Sequence, residues 1–304
     1  MFIEKGEIVM EKGRVLLDTF YKHYHNNKRE GGLYLASLTD EEFKCILELP
    51  VGMPRSYLSQ LRNCFHPDKL HKYIIHIPHA SLDIPESFKK QLKINYKEFM
   101  KENIFISDYM IDKFVPKDFT NIIKFKYSRM YCDVERYIDD SKEEMSKYGM
   151  GVLYTKDSNG KLFVKNKRIG TKEIEIYKEH HNRLDNMVEK ILNECNECFI
   201  IDLHSFSDEF VYKMFNKNNT PDICIGINKS NYDINLLEKT INHFSNYGYS
   251  VMINYPYSGS IISNKYPEVK SIMLEINKRV YLHDSNEYNR FYDCMIEYYK
   301  LLKK

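Results

Sequence analysis

The run 198–203, Cys-Phe-Ile-Ile-Asp-Leu, is short, apolar and rich in β-forming residues. A long amphipathic helical pattern precedes it over 171–195, and polar residues follow it. An apolar run of this length beside a helix is typical of a buried strand in a sheet that helices cover on both faces. In open sheets of this class, ligands bind at the carboxyl ends of the strands. The residues that end the run, His204 and Ser205, are therefore the first candidates for a functional site.

From about residue 72 onward, strand patterns alternate with helix patterns. The predicted strands are 73–77, 121–127, 151–155, 161–165, 198–203, 222–227, 250–254 and 271–276. The predicted helices are 86–100, 107–114, 171–195, 234–247 and 285–303. Strands that alternate with helices predict an α/β fold with a mixed, mostly parallel sheet flanked by helices. Within it, the segment 151–165 is predicted to form a hairpin around Asp157-Ser158-Asn159-Gly160.

The first 71 residues differ from the rest because they carry helical patterns and no chemical motif. Two such patterns are Val15 to Tyr24 and Asp40 to Leu49. Ser37-Leu38-Thr39-Asp40 offers capping residues for the start of the second. We predict a helical N-terminal extension over 1–71 and a main α/β domain over 72–304, with a separate interaction module as the alternative for the first segment.

Composition excludes several classes of function. Charged residues make up 29% of the chain but nearly cancel to a formal net charge of +2, and the basic residues are not clustered, which argues against nucleic-acid binding. No segment approaches the roughly 20 apolar residues of a membrane span. The amino terminus lacks the apolar core of a signal peptide, so we expect a cytoplasmic protein. Seven scattered cysteines without an export signal argue against a disulfide framework.

Two histidines, His79 and His204, each follow a predicted strand, and they are the predicted ligands of one zinc ion. His79 lies in a short loop bracketed by Pro78 and Pro85, which favours a preorganised ligand over a histidine that merely bonds within its loop. His76 alternates with apolar neighbours, so we interpret it as a packed core residue. Catalytic zinc usually takes three protein ligands and leaves a position open for water. The carboxylates that could complete the set are Asp83, Asp108, Asp112 and Asp202.

Glu275 interrupts the apolar run 272–276 and is the predicted general base. A carboxylate within a buried strand is costly unless it has a partner or a role, and partial burial raises its pKa toward neutrality. The alternative is a salt bridge to Arg279 or to another basic residue. Two further arginines, Arg129 and Arg136, follow the strand 121–127, and either could bind a substrate carboxylate through two parallel hydrogen bonds. Their structural alternative is an ion pair with a neighbouring acid of the segment 133–135.

The loop 255–260 follows another predicted strand and is predicted to cover the substrate. Its Tyr257 would contact the substrate, and Gly259 would permit a close backbone approach. An ordinary turn is the alternative. Ser205 and His181 are the remaining predicted substrate neighbours, although His180 and His181 both lie in a helical pattern, where surface histidines are common.

A succession of short motifs resembles the N-formylglutamate amidohydrolase family over residues 73 to about 282. The motifs are His79 and its loop, Ser107-Asp108, Ser128-Arg129, Asp133-Val134-Glu135-Arg136, Gly149-Met150-Gly151-Val152-Leu153-Tyr154, Asp202-Leu203-His204-Ser205, Pro256-Tyr257-Ser258-Gly259 and Glu275-Ile276-Asn277. The resemblance implies a zinc-carboxypeptidase-like (phosphorylase/hydrolase-like) fold. It also implies hydrolysis of an amide bond in a small N-acyl amino acid or peptide-like substrate.

On that template, His79 and His204 would be zinc ligands and Glu275 the base that activates water. Carboxypeptidases use a His-x-x-Glu pair, but position 82 is leucine here, so another carboxylate is needed. The resemblance places Asp108 at a recurrent motif and makes it the third ligand. Arg129 would polarise the scissile carbonyl or hold the substrate.

Arg136 would bind the substrate carboxylate on the same template. Family members commonly have Asn-Arg where this chain has Glu135 and Arg136. A glutamate at that position is expected to repel an acidic substrate or to neutralise the arginine. The alternative function is therefore a catalytically silent relative that binds a small ligand in the same pocket. The sequence assigns no oligomeric state.

Overall fold

The computed structural model describes residues 2–50, 52–65, 72–165 and 171–303. The chain divides into two units. The first comprises the described residues of Met1–Lys72 together with Ile191–Asn196, and the second comprises those of Tyr73–Lys190 and Glu197–Lys304.

Helices make up the N-terminal part of the first unit. They are α1 (Phe2–Asn26), α2 (Lys28–Ser37), α3 (Asp40–Leu47) and α4 (Arg55–Phe65). Thr39 and Glu42 form a capping box at the start of α3, which satisfies backbone donors that have no partner within the helix. Phe20, Leu35 and Ile46 are fully buried in the small core of this unit. The helical character predicted for this part is confirmed, while residues 66–71 of the predicted extension lie outside the described residues.

A six-stranded sheet organises the second unit. Its strands are β1 (Tyr73–Ile77), β2 (Ile122–Lys124), β3 (Phe199–Phe206), β4 (Ile223–Gly226), β5 (Val251–Ile253) and β6 (Lys270–Asn277). They lie in the order β2-β1-β3-β6-β4-β5, and every neighbouring pair is parallel except β4 and β6. The predicted mixed, mostly parallel sheet is confirmed.

Within the described ranges, seven helices accompany this sheet. They are α5 (Glu86–Lys89), α6 (Tyr96–Ile106), α7 (Thr171–Cys195), α8 (Asp208–Phe215), α9 (Ile234–Asn246), α10 (Arg279–Leu282) and α11 (Ser285–Lys303). The helices predicted over 171–195 and 285–303 have these bounds in the structure. The pattern over 86–100 instead divides into α5 and α6, and 107–114 forms a turn followed by a 3-10 turn at Ile111–Phe114.

The segment 151–165 forms the predicted turn with antiparallel pairing across it, but the two regular strands predicted on either side of the turn are absent from this described segment. The segment contains isolated bridges, one of them between Lys156 and Leu162, around a turn in which the Asp157 carboxylate accepts two backbone N–H groups. A second bridge joins Val164 to Leu92, but each pairing is a single bridge, so the turn at Asp157 organises the segment rather than a regular ladder. By contrast, β3 continues to Phe206, which places His204 inside the strand rather than after it.

The two faces of the sheet have different chemistry because successive side chains of a strand point to opposite faces. Ile201, Leu203 and Leu274 belong to the apolar core that also contains residues of α9 and α11. The intervening positions on the central strands carry polar groups. His76 is in register with Asp202, and His204 is in register with Glu275. The alternation thus gathers four polar side chains of three adjacent strands on one face.

Candidate metal centre and active site

His79, Asp108 and His204 converge on one point. Each offers a ligand atom, and these atoms lie within 4.8 Å of one another. Nδ1 of His79 is 3.3 Å from Nδ1 of His204, which is 3.1 Å from Asp108 Oδ2. Asp108 follows the end of α6, and its backbone N–H donates to the carbonyl of His79 at 2.9 Å, so the two loops hold each other. Two imidazoles and one carboxylate form a donor set that suits a catalytic metal ion.

Carboxylates lie behind the rings of both histidines. Nε2 of His79 is hydrogen-bonded to Asp133 Oδ1 at 2.8 Å. Nε2 of His204 lies 3.0 Å from Asp202 Oδ1 and 3.2 Å from Glu135 Oε2. Because a carboxylate only accepts hydrogen bonds, Asp133 favours a proton on Nε2 of His79. Both nitrogens of His204 face carboxylates, Asp108 at Nδ1 and Asp202 and Glu135 at Nε2. Positive charge at this point, carried by protons or by a metal ion, would compensate the surrounding carboxylates.

The ionisation of these groups reflects the same demand for positive charge. Burial opposes ionisation of Asp108, but hydrogen bonds from His204 and His79 hold its pKa well below the usual range. Burial also lowers the pKa of a histidine, yet the negative charges of Glu135 and Asp202 raise that of His204 well above its ordinary value. A bound metal ion would supply the positive charge that protons on these histidines supply in its absence.

Glu275 lies beside His204 on the neighbouring strand. It is 7% exposed, and its Oε2 has no hydrogen-bond partner among the residues that the structure describes. Burial raises the pKa of Glu275 to about 8. The alternative pairing with Arg279 is wrong, because that arginine contacts Asp208 at 2.7 Å and Asp222 at 3.0 Å.

Arg129 and Arg136 share the buried carboxylate of Asp133. Arg129 donates to Asp133 Oδ2 through Nε at 3.1 Å and through Nη2 at 2.9 Å. The hydroxyl of Tyr154 donates to the same oxygen at 3.0 Å. Nε of Arg136 is 3.6 Å from Asp133, and its Nη1 is 3.9 Å from Glu143. Arg129 is therefore held rigidly, whereas Arg136 is compensated electrostatically at longer distances.

Glu135 lies among histidines rather than beside the guanidinium of Arg136. Its carboxylate is 3.2 Å from His204 Nε2 and 3.7 Å from both His79 Nε2 and His76 Nδ1. Because the carboxylate of Glu135 faces these rings, the expectation that it neutralises Arg136 is wrong. Among the described residues, its ion-pair contacts are with histidines. A glutamate at this position instead adds negative charge behind the proposed ligands.

A cavity of about 580 Å³ opens next to these groups. Its lining includes every residue predicted to act on or bind the substrate, namely Arg129, Arg136, His181, Ser205, Tyr257, Gly259 and Glu275. The ring of Tyr257 packs edge-on against Phe206 and Phe215, and Gly259 adopts φ +85°, which favours glycine. Oγ of Ser205 lies 3.5 Å from Asp108 Oδ1. Nε2 of His181 contacts the carbonyl of Val134, and burial lowers the pKa of this histidine.

Sequence reasoning missed two groups near the site. Lys278 lines the cavity and is 8% exposed, and its ammonium donates to the carbonyl of Phe105 at 2.7 Å. Burial lowers the pKa of Lys278 to about 8. His180 is 2% exposed rather than at the surface. A signal for it was present, because His180 lies four residues from both Ile176 and Leu184 on the buried stripe of α7.

The sheet and the site define a mixed α/β protein with a cavity beside a group of residues that could bind a metal ion. A comparison with protein families then identifies the chain more closely. The family model of N-formylglutamate amidohydrolase matches residues 71–282, and the chain belongs to this family. The resemblance found in the sequence motifs is thereby confirmed, and with it a hydrolase of the amidohydrolase class.

Solved structures share the fold. The N-formylglutamate amidohydrolase from Ralstonia eutropha JMP134 superposes with a TM-score of 0.63 at 16% identity, covering 76% of this chain and 91% of that chain. A gene product from Agrobacterium tumefaciens superposes with a TM-score of 0.57 at 13% identity, covering 79% and 95%. A comparison with curated proteins found no match. None of the described helices is both long enough and apolar enough to cross a membrane.

Proposed function

We propose that this chain is a zinc-dependent amidohydrolase that cleaves the amide bond of an N-acyl amino acid. One observation carries the proposal: His79 Nδ1, His204 Nδ1 and Asp108 Oδ2 converge beside Glu275, whose carboxyl group is buried next to a cavity. Membership of the amidohydrolase family supports the reaction class. Because the Ralstonia relative is an N-formylglutamate amidohydrolase, N-formylglutamate is the first substrate to test.

His79, Asp108 and His204 would hold the ion. When bound, zinc supplies Lewis acidity, which polarises a carbonyl group and makes water a better nucleophile near neutral pH. Glu275 takes a proton from the attacking water and delivers it to the departing amine. The raised pKa of Glu275 suits this exchange, since a group that titrates near the working pH can both accept and donate.

Arg129 is assigned to the carbonyl oxygen of the substrate. Its Nε and Nη2 atoms are held by Asp133, so the guanidinium presents its remaining edge to the cavity in one orientation. A fixed donor stabilises the negative charge that develops on that oxygen without a reorganisation cost. Tyr154 reinforces the arrangement because its hydroxyl also bonds to Asp133.

The amino-acid carboxylate of the substrate is assigned to Arg136, with Lys278 as a second cation in the same cavity. Asp133 and Glu143 approach Arg136 only at 3.6 and 3.9 Å, so its guanidinium remains available to a substrate carboxylate in the cavity. Ser205, Tyr257, Gly259 and His181 complete the substrate surface. Glu135 also lines the cavity, but its carboxylate faces the histidine rings, which leaves Arg136 and Lys278 available to an anionic substrate.

The test combines zinc binding with hydrolysis. Metal-free protein is titrated with zinc and assayed on N-formyl-L-glutamate and a panel of other N-acyl amino acids by detection of the released amine. We expect one zinc ion per chain and hydrolysis that Glu275→Gln abolishes. The control is His243→Gln, because His243 bonds to the carbonyl of Cys294 and is not one of the proposed zinc ligands.

Two outcomes contradict the proposal. A wild-type chain that binds no zinc excludes the metal centre. The second outcome is a wild-type chain that binds zinc but hydrolyses no substrate of the panel. If both the wild type and Glu275→Gln then bind small carboxylate compounds equally well, the chain is the catalytically silent relative.

A further inference from the structure

A row of buried polar groups extends from His204 across β3 and β1 to α7. Asp202 Oδ1 lies 3.0 Å from His204 Nε2 and accepts a hydrogen bond from Nδ1 of His76 at 2.7 Å. Nε2 of His76 is in turn 2.8 Å from Nε2 of His180. These side chains come from β3, β1 and α7, and none is more than 4% exposed. The proposed reaction uses neither His76 nor His180.

The row anchors the carboxylate of Asp202 on both sides. Oδ1 faces His76, and Oδ2 accepts the backbone N–H of Ile261 at 3.1 Å. A single proton must lie between the two Nε2 atoms of His76 and His180, because one ring has to donate and the other to accept. Within the described chain, Nδ1 of His180 has no hydrogen-bond partner, so the polar function of this ring is its contact with His76.

The ring of His204 has two competing acceptors at its Nε2 atom. Asp202 is buried and anchored, whereas the side chain of Glu135 is 18% exposed and approaches at 3.2 Å. Although both oxygens are within reach, Nε2 of His204 forms no well-directed hydrogen bond with a described residue. The direction of the imidazole therefore depends on which carboxylate is held more firmly.

We propose that His76 and His180 are positioning residues, which hold Asp202 so that it orients His204 with Nδ1 toward His79 and Asp108. This inference rests on the proposed function, since it concerns the affinity of the metal centre. Buried polar groups are costly unless they are connected, and partners of this kind behind a metal-binding histidine typically change metal affinity by about 10- to 100-fold. The contribution of His180 thus reaches the metal centre through two intermediates and without any contact with the ion.

Zinc affinity tests the inference when it is measured by competition with a chromogenic chelator. His180→Phe keeps a ring of similar volume and removes the polar contact with His76. We expect it to weaken zinc binding about 10-fold or more. His180→Gln keeps an amide that can donate to His76 and should restore much of the affinity. The control His243→Phe removes a histidine that contacts Cys294 and should leave zinc affinity unchanged.

Asp202→Asn provides a second variant in case His180→Phe does not fold. Its side chain has the same shape but keeps a single acceptor oxygen, so we expect a loss of zinc affinity at least as large. The absorption spectrum of the cobalt(II) form gives an independent readout, because the ligand field changes when His204 turns.

Three results would overturn the inference. The first is unchanged zinc affinity in both His180→Phe and Asp202→Asn while the wild type binds one zinc ion. The second is an equal loss in the His243→Phe control. The third is that the wild type binds two zinc ions and Asp202→Asn binds one. His76, Glu135 and Asp202 would then be ligands of a second ion. A wild type without zinc binding would instead contradict the proposed function itself.

Discussion

Replacing Glu275 by glutamine should raise the free energy of unfolding of the metal-free protein. In the zinc-bound protein, the same replacement should remove most of the activity. The carboxyl group is 7% exposed, and burial raises its pKa from the ordinary value of 4.5 to about 8. A carboxyl group whose pKa is raised in the folded state binds its proton more tightly there than in the unfolded chain. The free energy of unfolding of the wild type therefore falls as pH rises from 4.5 to about 8.

The magnitude follows from the shift. Each pH unit in this window corresponds to about 1.4 kcal/mol, so the wild type loses about 3 kcal/mol by neutral pH and about 5 kcal/mol above pH 8 relative to a neutral side chain. Glutamine has nearly the same shape and never ionises. The stability difference between Glu275→Gln and the wild type should therefore increase with pH and level off above pH 8.

Urea denaturation in the presence of a chelator measures this difference at several pH values between about 5 and 9. Glu189→Gln is the control, because Glu189 is a carboxylate on α7 that pairs with Lys265 at 2.8 Å near the surface. Its stability difference should not grow over the same range. With zinc restored, Glu275→Gln should lose activity by about 10²- to 10⁴-fold. A stability difference for Glu275→Gln that is independent of pH would refute the account of a buried, neutral carboxylic acid.

Three further predictions concern the metal centre, the substrate and the sheet. Asp108→Asn should reduce the zinc content from about one ion per chain to near zero after dialysis, as measured by elemental analysis; full retention would exclude Asp108 as a ligand. Lys278→Met should raise the KM of an acidic substrate about 10-fold or more with a smaller change in kcat, because a buried charge-assisted hydrogen bond is lost; equal KM values would exclude this lysine from the binding site. Gly226→Ala should lower the free energy of unfolding by about 1–3 kcal/mol, since its Cβ would collide with the carbonyl oxygen of Gly259, and an unchanged urea midpoint would refute that contact.

The alternation of apolar runs with helical patterns is enough to predict the class of fold. The periodicity of 171–195 and 285–303 predicts both helices with their observed bounds, because long amphipathic patterns depend little on tertiary context. The segment 151–165 is predicted less well. Its β propensity is real, but a strand requires neighbours to pair with, and the pattern of one segment does not contain them.

The site shows the same division. His79, His204 and Glu275 are recognisable because each is a polar residue in or after an apolar run, where it is expensive without a function. The interpretation of His180 as a surface residue is wrong, since it lies on the buried stripe of α7. The helical pattern indicates that burial but does not identify the partner of the ring. Its partner is His76, which is 104 positions away and meets it only after β1 and α7 have packed.

By itself, the sequence determined the class of fold and its two longest amphipathic helices in the α/β domain, which family the chain belongs to, and which residue types are available for chemistry. These properties depend on local periodicity and on motifs in order. The tertiary structure alone decided which carboxylate stands behind which histidine, and that Glu135 faces imidazole rings rather than Arg136. Such outcomes depend on distances of a few ångströms and on burial, and both arise only when separate strands are brought into register.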